Sequence, residues 1–338
     1  MLATLERETE TPPVFSPEVL RMDMDREVDR IVEALRSQVL RDLRRRGLVV
    51  GMSGGIDSSV CAALAVRAFG PDKVFGIFMP ERDSDPLSLR LGQTLAAHLG
   101  IQAVVEDIAP MIAAMGCYER RDAAIREVLP EYAADWKFKI VLPHATESKG
   151  YNINYLVYEA PSGETGRVRL PLGPYLGIVA ATNMKQRTRK QTEYYHADRL
   201  NYAVVGTPNR LEYDQGFFVK NGDGSADVKP IAHLYKTQVY DLAAHLGLPP
   251  EIQSRQPTTD TYSLAQSQEE FYFALPYDKM DLCLYGLNHS VPAESVASAI
   301  GLPTHVVERV YQDIEQKRRT TRPLHLGPLL VEKVAEIV

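Results

Sequence analysis

Apolar residues recur along this chain at two different spacings, and the change from one to the other marks out its elements. Val28, Ile31, Val32, Leu35, Val39, Leu40 and Leu43 fall at helical intervals, so a helix is predicted ahead of residue 47. Short apolar runs then alternate with helical patterns: a strand near 47–52, a helix near 58–69, a strand over 73–79, a helix near 86–99 and a strand over 101–107. A βαβαβ series with short connections predicts an α/β fold, with a doubly wound, mostly parallel sheet and helices on both faces. Between about 117 and 181 the alternation breaks. Residues 139–142 and 152–158 read as strands, Ser162-Gly163-Glu164 as a turn and 167–170 as a return strand, so an inserted β-hairpin is predicted. From Ala181 a helix leads to a fourth buried strand over 202–206, and the remainder is mostly helical. Residues 1–17 are expected to form a flexible leader, and 18–338 a single domain carrying the insertion.

The first strand runs straight into Gly51-Met52-Ser53-Gly54-Gly55-Ile56-Asp57-Ser58-Ser59. Glycines without a Cβ let backbone N–H groups approach an anion, and the positive end of the following helix adds a favourable field. Ser53, Ser58 and Ser59 offer hydroxyl donors, and the Asp57 carboxylate stands where it could hold a Mg²⁺ that bridges phosphates. A nucleotide is therefore the ligand expected, although the turn lacks the lysine of a P-loop and the glycine spacing of a dinucleotide fold. In a parallel sheet such a loop lies at the carboxyl rim, where the ends of the second and third strands, Met79 among them, would contact adenine and ribose.

Bulk properties narrow the class. Among 338 residues, 45% are hydrophobic and 24% charged, which suits an ordinary globular protein, and the formal net charge of −6 argues against a nucleic-acid binder. Cys61, Cys117 and Cys283 are widely separated with no C-x-x-C pair, so no zinc site or disulfide framework is indicated and a reducing cytoplasm fits. No apolar run is long enough for a membrane span.

The S-G-G-x-D-S turn resembles the pyrophosphate loop of the N-type ATP pyrophosphatases. Three further segments follow in order: Gly206-Thr207-Pro208-Asn209-Arg210-Leu211-Glu212, then Gly216 to Asp227, then Leu234-Tyr235-Lys236-Thr237-Gln238-Val239. Together they resemble the NAD synthetase family, over roughly residues 25–110 and 180–285. The resemblance implies an adenine-nucleotide α-hydrolase-like sheet, with ATP and Mg²⁺ as cofactors. It implies Asp57 and Glu212 as metal ligands, and Asp57, Asp223 and Lys236 as catalytic residues. ATP and its pyrophosphate would be held by Gly51, Ser53, Gly54, Gly55, Asp57, Ser58, Ser59, Met79, Arg187, Thr207, Lys236 and Thr258. The second substrate would meet Asn183, Arg189, Lys220 and Asp227. A glutamine of the family pattern is Lys185 here, and Gln268 replaces an acid.

The reaction this implies is an ammonia-dependent NAD synthesis. The nicotinate carboxylate of deamido-NAD attacks ATP, and ammonia then displaces AMP from the acyl-adenylate, with Asp223 near the reacting nitrogen. An amide-forming ligase that adenylates another carboxylic acid remains the open alternative. A homodimer is implied, with contacts from the helices around 110–130 and 185–200. A separate amidase would be required for glutamine to serve as the nitrogen donor.

Overall fold

The computed structural model describes residues 15–141, 154–256, 262–264, 272–273 and 275–337. The first helix, α1 (Met24–Ser37), starts where the Asp23 carboxylate accepts the Arg26 N–H, and it buries Val28, Ile31, Val32 and Leu35. A π-helical turn over Gln38–Asp42 ends the predicted stripe: Val39 stays buried, but Leu40 swings out to 51% exposure. Then follow β1 (Leu48–Gly51), α2 (Ile56–Phe69), β2 (Val74–Phe78), α3 (Pro86–Leu99) and β3 (Gln102–Val105), as the alternating pattern predicts. The short helices α4 (Ala109–Ala114) and α5 (Cys117–Arg126) come next.

The three strand-like stretches predicted for the insertion are all present. β4 (Lys137–Val141), β5 (Tyr155–Glu159) and β6 (Thr165–Arg169) form a separate antiparallel sheet, with Ile140 opposite Leu156 and Leu156 opposite Val168. Phe138, Ile140, Leu156 and Leu170 pack with Ile125 of α5 and with Tyr262 into their own apolar cluster. The next helix, α6 (Leu172–Leu200), begins nine residues before the predicted Ala181 and packs Ile178 into that cluster. Gly173 and Pro174 suggest a break in the sequence, yet both fall in the first turn, where proline's missing N–H costs nothing.

The chain continues through β7 (Ala203–Val205), α7 (Arg210–Gln215), α8 (Lys236–His245), α9 (Pro250–Gln253), α10 (Tyr277–Asn288), α11 (Ala293–Ile300) and α12 (Thr304–His325). The main sheet is parallel in the order β3-β2-β1-β7. β1, β2 and β7 are short and buried on both faces, which is why they read as continuous apolar runs, while β3 at the sheet edge is partly exposed. On one face Leu48 and Val50 pack into the cluster that holds α1, α2 and α8; on the other, Val49, Phe75, Ile77 and Val204 meet Ala197 of α6. The chain proceeds outward from β1 to β3 and then returns to the far side of β1 as β7. The β1/β7 boundary is therefore the topological switch point, where the loops after both strands open a crevice. Of the expected leader, residues 1–14 lie outside the described residues, and Pro17 already opens a 3₁₀ turn.

Candidate active site

Two chain segments about 150 residues apart meet at this switch point. The loop after β1 is shaped by glycine: Gly54 has φ +70°, and a Cβ there would stand 2.4 Å from the Ser88 carbonyl oxygen. Gly51 is constrained by proximity, since its Cβ would lie 2.6 Å from Glu193 Oε1. Gly55 is the N-cap of α2, so the unpaired N–H groups of a 14-residue helix face the crevice. The Ser58 and Ser59 hydroxyls donate to the Gly55 carbonyl at 3.0 and 2.8 Å, and Ser53 Oγ lies 3.1 Å from Ser58 Oγ.

The loop after β7 supplies the second half. Asn209 caps α7 in a full capping box: its side-chain oxygen accepts from Leu211 and Glu212, while its own N–H donates to Glu212 Oε2 at 3.1 Å. The Asn209 amide then donates to Asp57 Oδ1 and to Glu212 Oε2, both at 3.0 Å, so one side chain holds the two carboxylates together. Lys236, wholly buried at the start of α8, donates to Asp57 Oδ2. Burial and the neighbouring Asp57 carboxylate push Glu212 up to about 8, with Lys236 pulling the other way. Burial alone disfavours the Lys236 ammonium, but Asp57 and Glu212 hold its pKa above the ordinary lysine range.

These groups open onto a cavity of about 880 Å³. Gly51, Ser53, Gly55, Asp57 and Ser58 line it from the phosphate loop, and Met79, Thr207 and Glu212 from the adjoining rim. Asn183, Arg187 and Arg189 reach it from α6, and Lys220 and Asp223 from the loop after α7. Arg189 donates to the Met79 carbonyl at 3.4 Å, and Arg187 to the Lys220 carbonyl at 3.2 Å. The Lys220 ammonium is bound to the backbone oxygens of Pro323 and Leu326 at 2.8 and 2.9 Å. Burial raises the Asp223 carboxyl above its usual range, although the Val219 N–H donates to it at 2.8 Å. Thr207 leaves the helix cap to Asn209 and stays on the cavity wall.

Four expected residues do not line the cavity. Gly54 shapes the loop from behind; Ser59 is buried, with its hydroxyl turned onto α2; Lys236 acts through Asp57. Asp227 accepts the Val204 N–H at 2.7 Å and the Tyr194 hydroxyl at 3.2 Å, which ties down β7. Thr258 and Gln268 lie outside the described residues. Beyond Asn209, sequence reading missed Arg255, which lines the cavity, donates to the Ser53 carbonyl at 3.5 Å and to Ser88 Oγ at 2.8 Å, and brings a cation to the phosphate loop. No sequence pattern marks it. Lys185 is buried between Glu81 and Asp83, at 2.8 and 2.7 Å, so the replaced glutamine becomes the counter-ion of an acidic pair. Glu81 itself lines the cavity. All three cysteines are free and buried, and burial raises the pKa of each thiol, Cys283 to about 12. Among the described residues no helix is long and apolar enough to cross a membrane.

The family model for NAD synthase matches residues 27–133 and 173–322 and leaves 134–172 between its two parts. The chain is 65% identical to the NH(3)-dependent NAD(+) synthetase of Rhizobium meliloti, over 96% of this chain and 97% of that one. Among solved structures it is similar to an NMN synthetase from Francisella tularensis, with a TM-score of 0.63 and 20% identity over 92% of this chain and 99% of that one. An NH3-dependent NAD synthetase from Campylobacter jejuni gives a TM-score of 0.60 and 20% identity over 92% and 100%. These two structural likenesses concern the fold.

Proposed function

The chain belongs to the NAD synthase family, and from that premise we propose that it adenylates the nicotinate carboxylate of deamido-NAD with ATP and amidates the product with ammonia. The observation that carries this reading is the convergence of an anion-binding helix start, Asp57 and Glu212 on one cavity. A carboxylate oxygen of the substrate bonds to the α-phosphorus of ATP while the bond to the β-phosphate oxygen breaks and pyrophosphate leaves. The α2 N-terminus, the Ser53 and Ser58 hydroxyls and Arg255 offset the charge on the departing group. Ammonia then bonds to the acyl carbon, the bond to AMP breaks, and the surplus proton on nitrogen passes to a base. Asp223, made more basic by burial, is assigned that role.

Asp57 and Glu212 would hold a Mg²⁺, which when bound supplies positive charge against the phosphates. Their environment fits it. The two acids converge on the Asn209 amide at the cavity wall, where burial and the Asp57 carboxylate raise the Glu212 pKa, so a cation placed beside both would favour their ionised forms. The described residues contain no group of three or more metal-ligating side chains, and Mg²⁺ characteristically takes one or two carboxylates and completes its shell with phosphate oxygens and water.

Purified chain given ATP, deamido-NAD and ammonium should yield NAD, AMP and pyrophosphate in equal amounts. ADP as the main product, or turnover confined to a different carboxylic acid, would overturn the assignment. Glutamine alone should not replace ammonium, because hydrolysis needs an activated nucleophile and the three thiols are buried and held protonated. Changing all three cysteines to serine should leave the ammonia-driven rate within about an order of magnitude. We also assign a two-fold symmetric dimer, with α4, α5 and the second half of α6 at the contact, a region where Met111, Met115 and Tyr195 are exposed. Mass measurement in solution distinguishes it from a monomer.

A further inference from the structure

The loop between β2 and α3 runs along the cavity without helix or strand of its own. Met79, Pro80, Glu81, Ser84 and Asp85 line the cavity from it. At its far end Arg255, which also reaches the phosphate loop, donates to Ser88 Oγ at 2.8 Å and lies 3.6 Å from Asp85. One stretch of backbone therefore joins the rim expected to meet adenine and ribose to the place expected to hold pyrophosphate. Within the loop the Ser84 N–H donates to the Glu81 carbonyl at 3.0 Å, and the Glu81 N–H to Ser84 Oγ at 3.2 Å. A segment with so few bonds of its own needs support from its neighbours.

Two helices supply that support. α5 and α6 pack closely: a Cβ at Gly177 would stand 2.9 Å from that of Ala124, and Cys117 Sγ donates to the Ala181 carbonyl at 3.2 Å. From α6, Lys185 donates to Glu81 Oε1 and to Asp83 Oδ2 at 2.8 and 2.7 Å. From α5, Arg121 donates to the same Asp83 oxygen at 2.6 Å and to Asp122 Oδ1 at 2.7 Å. The Tyr118 hydroxyl donates to Glu81 Oε2 at 2.9 Å and accepts the Arg82 N–H at 3.3 Å, and the Arg82 guanidinium lies 3.9 Å above the Tyr118 ring. Glu81, Asp83 and Asp122 thus face Lys185, Arg121 and Arg82, and burial of the Asp83 carboxylate is outweighed by Lys185 and Arg121, which hold its pKa below the usual range. Packed apolar side chains would stabilise the fold as well as buried ion pairs do, so what the ions add is one fixed arrangement of the loop. Lys185, Tyr118 and Arg121 do not line the cavity, so they can act on a ligand only through Glu81, Arg82 and Asp83.

We propose that Lys185, Tyr118 and Arg121 are positioning residues for ATP, which hold the loop after β2 in its nucleotide-binding shape before ATP arrives and cancel the charge that Glu81 brings to the cavity wall. This rests on the reading of the reaction given above. Apparent affinity falls with the fraction of molecules whose loop is already in that shape. The test uses the full chain with Tyr118→Phe and Lys185→Met. Tyr118→Phe keeps the ring beneath Arg82 and removes only the hydroxyl, so it should fold even where Lys185→Met does not. Calorimetry with ATP and Mg²⁺, without the second substrate, should show Kd for ATP raised about fivefold by Tyr118→Phe and more than about tenfold by Lys185→Met. KM for ATP should rise in step, with kcat and KM for deamido-NAD altered less than about twofold. Hydrogen exchange at the amides of residues 81–84 should quicken in the ATP-free variants and slow again at saturating ATP. A lower melting temperature with unchanged Kd for ATP and unchanged exchange, or an equal rise in KM for both substrates, would overturn the positioning role alone. Wild-type chain that binds ATP without turning over deamido-NAD would overturn the reaction assignment, while the Kd series still decides the role of these residues; wild-type chain that does not bind ATP would overturn both.

Discussion

Asp57→Asn should leave a folded protein whose kcat with ATP, deamido-NAD and ammonium is lower by roughly 10³-fold or more. The asparagine retains an oxygen for the Asn209 amide, so the link at 3.0 Å between the two loops survives. What disappears is a full negative charge at the place assigned to Mg²⁺, and with it several kcal/mol of electrostatic help to the departing pyrophosphate. Lys236 would not be stranded, because Glu212 already acts on it electrostatically and would ionise more readily once Asp57 no longer repels it. Steady-state kinetics across a Mg²⁺ titration, with circular dichroism as the control for folding, provide the measurement. Near-normal turnover of the variant at low Mg²⁺ would falsify the metal role.

Lys236→Met should act on stability as well as on activity. The ammonium is wholly buried and bound to Asp57, and the substitution leaves Asp57 and Glu212 together with no cation. Breaking a buried pair in this way costs about 3–5 kcal/mol, far more than the loss of an exposed one. The loss should depend on pH with a defined sign. Burial and the Asp57 carboxylate already push Glu212 up to about 8, well above the usual carboxylate range, and removal of Lys236 takes away a group that lowers it. A carboxyl raised on folding stabilises most below its unfolded pKa, and that contribution disappears as pH rises through the folded pKa. Urea unfolding of the metal-free protein should therefore show the widest gap between variant and wild type above about pH 8, narrowing toward pH 5. A gap that widened on acidification would refute the electrostatic explanation.

Much of this architecture is legible in the sequence because β1 and β2 are central strands and the connections around them are short. β2, α3 and the phosphate loop announce themselves through continuous apolar runs, helical spacing and a glycine turn. The start of α6 is obscured by Gly173 and Pro174, residues that usually interrupt a helix but are harmless in its first turn. Asn209 carries a readable signal: Asn209-Arg210-Leu211-Glu212 has the spacing of a capping box, which assigns the cap to Asn209 and leaves Thr207 to the cavity. Depth is harder to read. Lys236 falls in an ordered motif, but nothing local says that it lies beneath Asp57 instead of facing the nucleotide. Arg255 and the partners of Lys185 depend on contacts made across more than 100 residues, for which a single sequence offers no periodicity to read.

The meeting of β1 and β7 also sets when the site can exist during synthesis. Asp57 must wait for Asn209, 152 positions later, and for Lys236, 179 positions later. A nascent chain can form the first β-strands and helices from local contacts, but its nucleotide-binding loop has no second carboxylate and no buried cation until β7 takes its place beside β1. Closing so long a loop is an entropic cost met before its contacts repay it, so ordering of this crevice belongs to the late, slow part of folding. An unfinished or truncated chain ending before residue 209 would thus carry the most recognisable motif of the protein and still lack the arrangement that gives that motif its chemistry.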